Sequence, residues 1–240
     1  MIVLDSFLIV LLVYVFAAIL PAIYFMRFIN AQDKVEKEPV NLLWSLIFGG
    51  VFAALCSMVL EQIGEGLVLS NLQLTSKTQA AIYTATMVGI VEEGTKFYFL
   101  KKKTWDNPNF DYMYDGIVYA VFVSLGFAGF ENILYVFNFG IKIAPMRAIL
   151  AIPAHMAFAV FMGSFYGNAR KLYVQGNTGK AKVAMFLALI SAIFFHAVYD
   201  SLCMIQTGSA SMIFFVFVVL MYIVVYRKIK RESKKDRSIY

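Results

Sequence analysis

Three stretches of this chain place titratable side chains in apolar surroundings. The first is Val91–Glu92–Glu93–Gly94–Thr95–Lys96, inside the run from Ala80 to Leu100. The second holds Glu131 and Asn132, and the third holds His196 and Asp200. A further histidine, His155, stands alone in another apolar run. Charged groups at membrane depth cost several kcal/mol unless partners or water meet them, so they mark functional sites.

Their spacing suggests hydrolysis. Glu92 and Lys96 are one helical turn apart and can pair, while Glu93 points about 100° away. One carboxylate is then balanced, and the other is free to take a proton from water. His196 and Asp200 are also one turn apart, the arrangement in which a carboxylate orients a catalytic or metal-bound imidazole. Glu131 is a candidate ligand or acid–base group, and the Asn132 amide a candidate donor to a developing oxyanion. Both histidines lie on small-residue strips. One strip is Arg147, Ala151, His155, Ala159, Gly163 and Gly167; the other is Ala184, Ala188, Ala192, His196 and Asp200. The blander readings are a neutralised Glu–Lys pair, an Asn132 bond between helices and a hydrogen-bonded core histidine. Two adjacent glutamates are more than a neutralised pair requires.

A membrane must supply the frame. Of 240 residues, 61% are hydrophobic and 15% charged, and mean hydropathy is +0.73. Soluble domains are nearer half apolar and a quarter charged. The expected fold is therefore all-α: a polytopic helical bundle of about seven spans, each with the roughly 17–25 residues a bilayer requires. The spans are placed at Val3–Met26, Asn41–Leu60, Thr78–Leu100, Tyr112–Asn138, Arg147–Asn168, Val183–Ile205 and Ser211–Tyr226. The N-terminus lacks a basic region and a cleavage site, so the first span reads as retained. The polar connection Glu61–Lys77 has room for a short interfacial helix, and Asp111 suits an N-cap of the fourth span. The bundle is expected over residues 1–226, with a catalytic core at about 80–205. A basic cytoplasmic tail, 227–240, frays or lies at the membrane surface.

Loop charge sets the orientation. One set of alternate loops plus the tail holds 17 of the 21 Lys and Arg, the other set holds 3, and Lys96 is intramembrane. That asymmetry places the C-terminus in the cytoplasm and the N-terminus outside. The net charge of +6 is thus topological and no nucleic acid is implied. Cys56 and Cys203 both fall in spans, which rules out a disulfide framework. By helix rise, Glu131, His155 and His196 lie roughly 10–14 Å below the exterior ends of their spans. Glu92 and Glu93 lie nearer the midplane, and Asp115, at the inner end of its span, is read as interfacial.

Glu92–Glu93–Gly94–Thr95–Lys96 resembles the Glu-Glu-x-x-Lys motif of the PrsW family of membrane proteases. Asp115–Gly116 with Gly126–Phe127–Ala128–Gly129–Phe130–Glu131–Asn132, then Pro153 with His155, then His196 with Asp200, resemble its other signatures in family order. The resemblance covers about Ala80 to Ser201. It implies a multi-pass endopeptidase of the bacterial cell membrane, distantly similar to the CAAX prenyl endopeptidases. The implied substrate is a membrane-anchored protein such as an anti-sigma factor, cut on its extracytoplasmic side. Under this reading Glu92 or Glu93 is the general base, assisted by Lys96, Glu131, Asn132 and Asp200. His155, His196 and Glu131 form a possible zinc ligand set; a metal-free route through glutamate-activated water stays open. There is no Gly-x-Ser-x-Gly elbow. The alternative is a proton- or ion-coupled transporter using the Glu/His/Lys groups as a relay, but no internal repeat supports it.

Overall fold

The computed structural model describes residues 2–67, 74, 76–205 and 207–240. Eight α-helices follow in order: α1 (Ile2–Gln32), α2 (Val40–Leu67), α3 (Lys77–Thr104), α4 (Asp115–Phe139), α5 (Ala144–Ile149), α6 (Ala151–Val174), α7 (Thr178–Met204) and α8 (Gly208–Lys234). Among the described residues there is no strand, only an isolated bridge between Tyr112 and Ser238. Among the described residues, six helical stretches are long and apolar enough to cross a bilayer. The helix not among them is α3, which is 28 residues long and carries Glu92, Glu93, Lys96 and Lys101–Lys103. The structure is a multi-pass membrane bundle.

At its centre, α4 packs against α1, α2 and α6, while α7 bridges α3 and α6. Two glycine contacts bring the site-bearing helices together. A methyl group on Gly116 would lie 2.6 Å from the Gly163 carbonyl oxygen, and one on Gly126 would collide with the Ile47 backbone. Only glycine permits such close approach of α4 to α6 and α2.

Several boundaries differ from the sequence reading. α2 runs on to Leu67, so Glu61 is helical rather than part of a loop. The interfacial helix expected within Glu61–Lys77 falls largely outside the described residues. The fifth span is broken. Gly140, at φ +83°, turns the chain out of α4, and α5 then ends at Ile149, with Leu150 between it and α6. Pro153 cannot donate to the Ile149 carbonyl. The Tyr222 hydroxyl supplies that bond instead, donating to Ile149 O at 3.2 Å and Leu150 O at 2.8 Å. Arg147 is therefore carried on α5, and the strip through His155 does not continue to it.

Asp111 is not an N-cap. The Asp115 carboxylate folds back instead, with Oδ2 accepting from Tyr112 N at 2.7 Å and Asp111 N at 3.2 Å. Asp115, the first residue of α4, is buried beneath these backbone donors and beside Asp236 of the tail. The tail does not fray either. α8 continues past residue 227 to Lys234, after which Arg237 O accepts from Met113 N and Ile239 N donates to Asp111 O.

Candidate active site

Lys96 is fully enclosed and holds the centre. Its Nζ donates to Glu92 Oε2 at 2.9 Å and Glu93 Oε1 at 2.8 Å, and lies 3.2 Å from His155 Nδ1. It also sits 3.8 Å from the centroid of the Phe127 ring, so an aromatic face closes its remaining side. One ammonium thus offsets two carboxylates that α3 presents on adjacent strips.

His196, from α7, joins the same group. Its Nδ1 is 2.9 Å from Glu93 Oε1, and its Nε2 is 3.2 Å from Asp200 Oδ2 and 3.9 Å from Glu92 Oε2. The ring stacks on Phe158 at 4.9 Å and meets His155 edge-on at 5.4 Å. The backbone carbonyl of His155 accepts from Ser124 Oγ at 3.0 Å, which ties α6 to α4 beside the site.

Glu131 occupies the flank. Its Oε2 is 3.2 Å from His155 Nε2 and accepts from Arg147 Nη2 at 3.0 Å. Arg147 Cζ sits over the Tyr135 ring, 3.7 Å from its centroid, and its Nε donates to Asn132 Oδ1 at 2.6 Å. Asn132 Nδ2 in turn donates to Ala18 O on α1 at 2.7 Å. Both ends of that fully buried amide are committed. Asn132 is therefore a bond between helices in this structure, the blander of its two sequence readings.

Among the described residues, one group of donors lies within ligand reach. Atoms of Glu92, Glu93, His155 and His196 are all within 4.8 Å of one another. The expected ligand set had Glu131 in place of the two α3 glutamates. Arg147 draws Glu131 to the side, where it reaches only the outer nitrogen of His155. The donors still suit a divalent ion, since imidazole nitrogen and carboxylate oxygen are zinc's usual partners. One further observation agrees: Glu93 Oε2 is buried with no hydrogen-bond partner.

A cavity of about 680 Å³ opens onto the group. Glu92, Glu131, His155, His196 and Asp200 line it, whereas Glu93 and Lys96 lie behind its wall. Its outer rim is built from the end of α4, α5 and the start of α8. Sequence reasoning missed two charged lining residues. Arg147 was hidden by the unforeseen break at Leu150. Glu61 was assigned to a loop, although Ala54, Ser57 and Glu61 continue one helical face, on which Ser57 Oγ bonds Thr95 Oγ1 at 2.7 Å.

A membrane bundle with an enclosed Glu/Glu/Lys/His/His group beside an open cavity has the parts of an intramembrane hydrolase. Comparison with known proteins agrees with that class. The model of the PrsW family of intramembrane metalloproteases matches residues 37–226, and the chain belongs to this family. It is 29% identical over 228 residues to Protease PrsW of Clostridioides difficile (strain 630), covering 93% of this chain and 92% of the relative. It is 31% identical over 186 residues to Protease PrsW of Geobacillus kaustophilus (strain HTA426), covering 77% and 76%. With Protease PrsW of Bacillus subtilis (strain 168) it shares 29% over 225 residues, covering 93% and 95%. No solved structure matches the chain. The protein is a multi-pass membrane protease.

Proposed function

We propose that the chain is an endopeptidase that hydrolyses one peptide bond of a membrane-anchored protein near the extracytoplasmic border, with Glu92 as general base. The single observation that carries this is the position of Glu92, which lines the cavity while bonded to Lys96 and lying beside His196. An ionised carboxylate so placed is able to take the proton of a water attacking a carbonyl carbon, and to return it to the leaving amine. Lys96 bonds to both Glu92 and Glu93 and holds the two carboxylates together. Glu93, enclosed between Lys96 and His196, orients both, and Asp200 holds the second nitrogen of the His196 ring. Glu131 and Arg147 fix the outer edge of His155.

His155, His196 and Glu93 would hold zinc, with Glu92 left as the base. When bound, zinc polarises the scissile carbonyl and acidifies a water. Glu92, His155 and His196 are buried, so fixed charges act on them more strongly than in water.

The extracytoplasmic placement rests on loop charge. The ends bearing Lys101–Lys103, Arg170, Lys171 and the α8 tail lie opposite the α4–α5 rim of the cavity. The positive-inside bias then puts the rim outside. An anti-sigma factor, or a regulator built like one, is the substrate class that the family resemblance favours. The test is metal content of the purified active protein, together with chelator treatment and zinc readdition during cleavage of a membrane-anchored substrate. About one zinc per chain and activity restored by zinc are expected. Full activity in metal-free preparations would remove zinc and leave the glutamate–water route.

A further inference from the structure

The charged side chains lining the cavity are paired, with one exception. Glu92 is paired with Lys96, Glu131 with Arg147, and Asp200 with His196. Glu61 lines the same cavity from α2, and its Oε1 is buried with no hydrogen-bond partner. Among the described residues it has no ion pair. The charged groups whose fields act on it are those of Glu92, Glu131, Lys96 and His196. Those two cations are already engaged by Glu92, Glu93 and Asp200. Arg147, the other cation lining the cavity, is held by Glu131, Asn132 and Tyr135.

A carboxylate in this position is costly without a partner. Its place on the wall of a substrate-sized cavity tells where the partner comes from. Resting on the protease reading above, we infer that Glu61 is a specificity determinant that receives a lysine or arginine side chain of the substrate close to the scissile bond. One carboxylate with no second acidic donor beyond Glu92 and Glu131, which are engaged elsewhere, suits the single charge of such a side chain better than a metal ion. The other cavity walls are apolar, with Phe127, Leu134, Phe139 and Phe214 among them, and suit the apolar residues next to a membrane border. Glu61 lies five residues before Gly66, the end of its span, or about 8 Å by helix rise. A substrate cation is able to reach it from the aqueous side without crossing the bilayer core.

The experiment reads cleavage sites and not only rate. The full chain is expressed in a bacterial host, and new N-termini of membrane proteins are sequenced by mass spectrometry against the Glu92→Gln variant. Sites that depend on Glu92 are expected to carry Lys or Arg within a few residues of the cut. In Glu61→Gln the ratio of cleavage at cationic sites to cleavage at neutral sites should fall about tenfold, between the small worth of a surface pair and the larger worth of a desolvated one. Glu61→Arg should move the preference towards Asp and Glu, and Glu61→Asp should restore the original one at comparable protein levels. Wild-type sites without cationic enrichment, or a preference unchanged in Glu61→Gln and Glu61→Arg, would overturn the assignment and leave the protease reading standing. The absence of any Glu92-dependent site would instead overturn the reading on which it rests.

Discussion

Two regions of this molecule bury clusters of carboxylates, and they are built on different principles. In the cavity-side cluster, Glu92, Glu93, Glu131 and Asp200 are matched by Lys96, Arg147, His155 and His196. At the opposite end, Asp33, Glu38 and Asp115 are buried beside Asp236 of the tail. Their partners there are mostly neutral. Tyr119 Oη donates to Glu38 Oε2 at 2.8 Å, Tyr112 N to Asp115 Oδ2 at 2.7 Å and Tyr114 N to Asp236 Oδ1 at 2.9 Å. Lys37 is the cation closest to Asp33, and both histidines of the chain are in the other cluster. One region sets its acids against basic side chains, imidazoles among them, beside a cavity, which is what hydrolysis needs. The other spends its acids on backbone donors and hydroxyls, and fastens the tail to the loops after α1 and α3. Burial of acids alone does not mark a site; the kind of partner does.

The comparison can be broken most strongly at His196. His196→Ala removes the ring that Glu93 and Asp200 orient, and a loss of cleavage of roughly 10²–10⁴-fold is expected, the usual worth of a positioned acid–base group. Cleavage of a membrane-anchored substrate by equal amounts of folded protein checks it. Next, Lys96→Met strands two enclosed carboxylates, so unfolding in detergent should cost about 3–5 kcal/mol less than in the wild type. The corresponding change at the other end, Lys37→Met, removes a more exposed cation and should change stability far less. A smaller effect, about 1–3 kcal/mol, is expected for Arg147→Gln, which leaves the buried Asn132 Oδ1 without its donor. Thermal unfolding of that variant, set beside its activity, separates the structural share of Arg147 from any share in catalysis.

The smallest effect belongs to the far cluster and is a matter of pH. Burial pushes Asp33 up to about 6 and Glu38 up to about 7. Their ordinary values are 3.8 and 4.5, so the folded protein binds more protons than the unfolded chain between those limits. The stability they contribute is complete below about pH 4 and is lost as pH rises through 6 and 7. Melting temperature should therefore decline across that window, and Asp33→Asn with Glu38→Gln should flatten the decline.

Much of the site could be read from spacing because its pairs are local. Glu92 with Lys96 and His196 with Asp200 are each one helical turn apart, and the structure makes both contacts. The alternation of basic loops anticipated the bundle, because charge bias and span length act on each segment independently. What escaped depends on distant partners. Asn132 was read as a donor to substrate, yet Ala18, 114 residues away, takes its amide. The break at Leu150 depends on a hydroxyl from α8 as well as on Pro153. Glu61 was lost to a boundary error of nearly two turns, and the burial of Asp115 was not legible because the tail residue beside it, Asp236, comes from the other end of the chain.

The central claim is that Glu92 does chemistry whereas the equally buried Asp33 serves only structure. The direct measurement compares Glu92→Gln with Asp33→Asn in one cleavage assay on a membrane-anchored substrate, with unfolding followed on the same preparations. The account predicts a loss of at least about a hundredfold for Glu92→Gln with the fold retained, and less than about twofold for Asp33→Asn. Cleavage that survives in Glu92→Gln, or that falls equally in both variants, would contradict it.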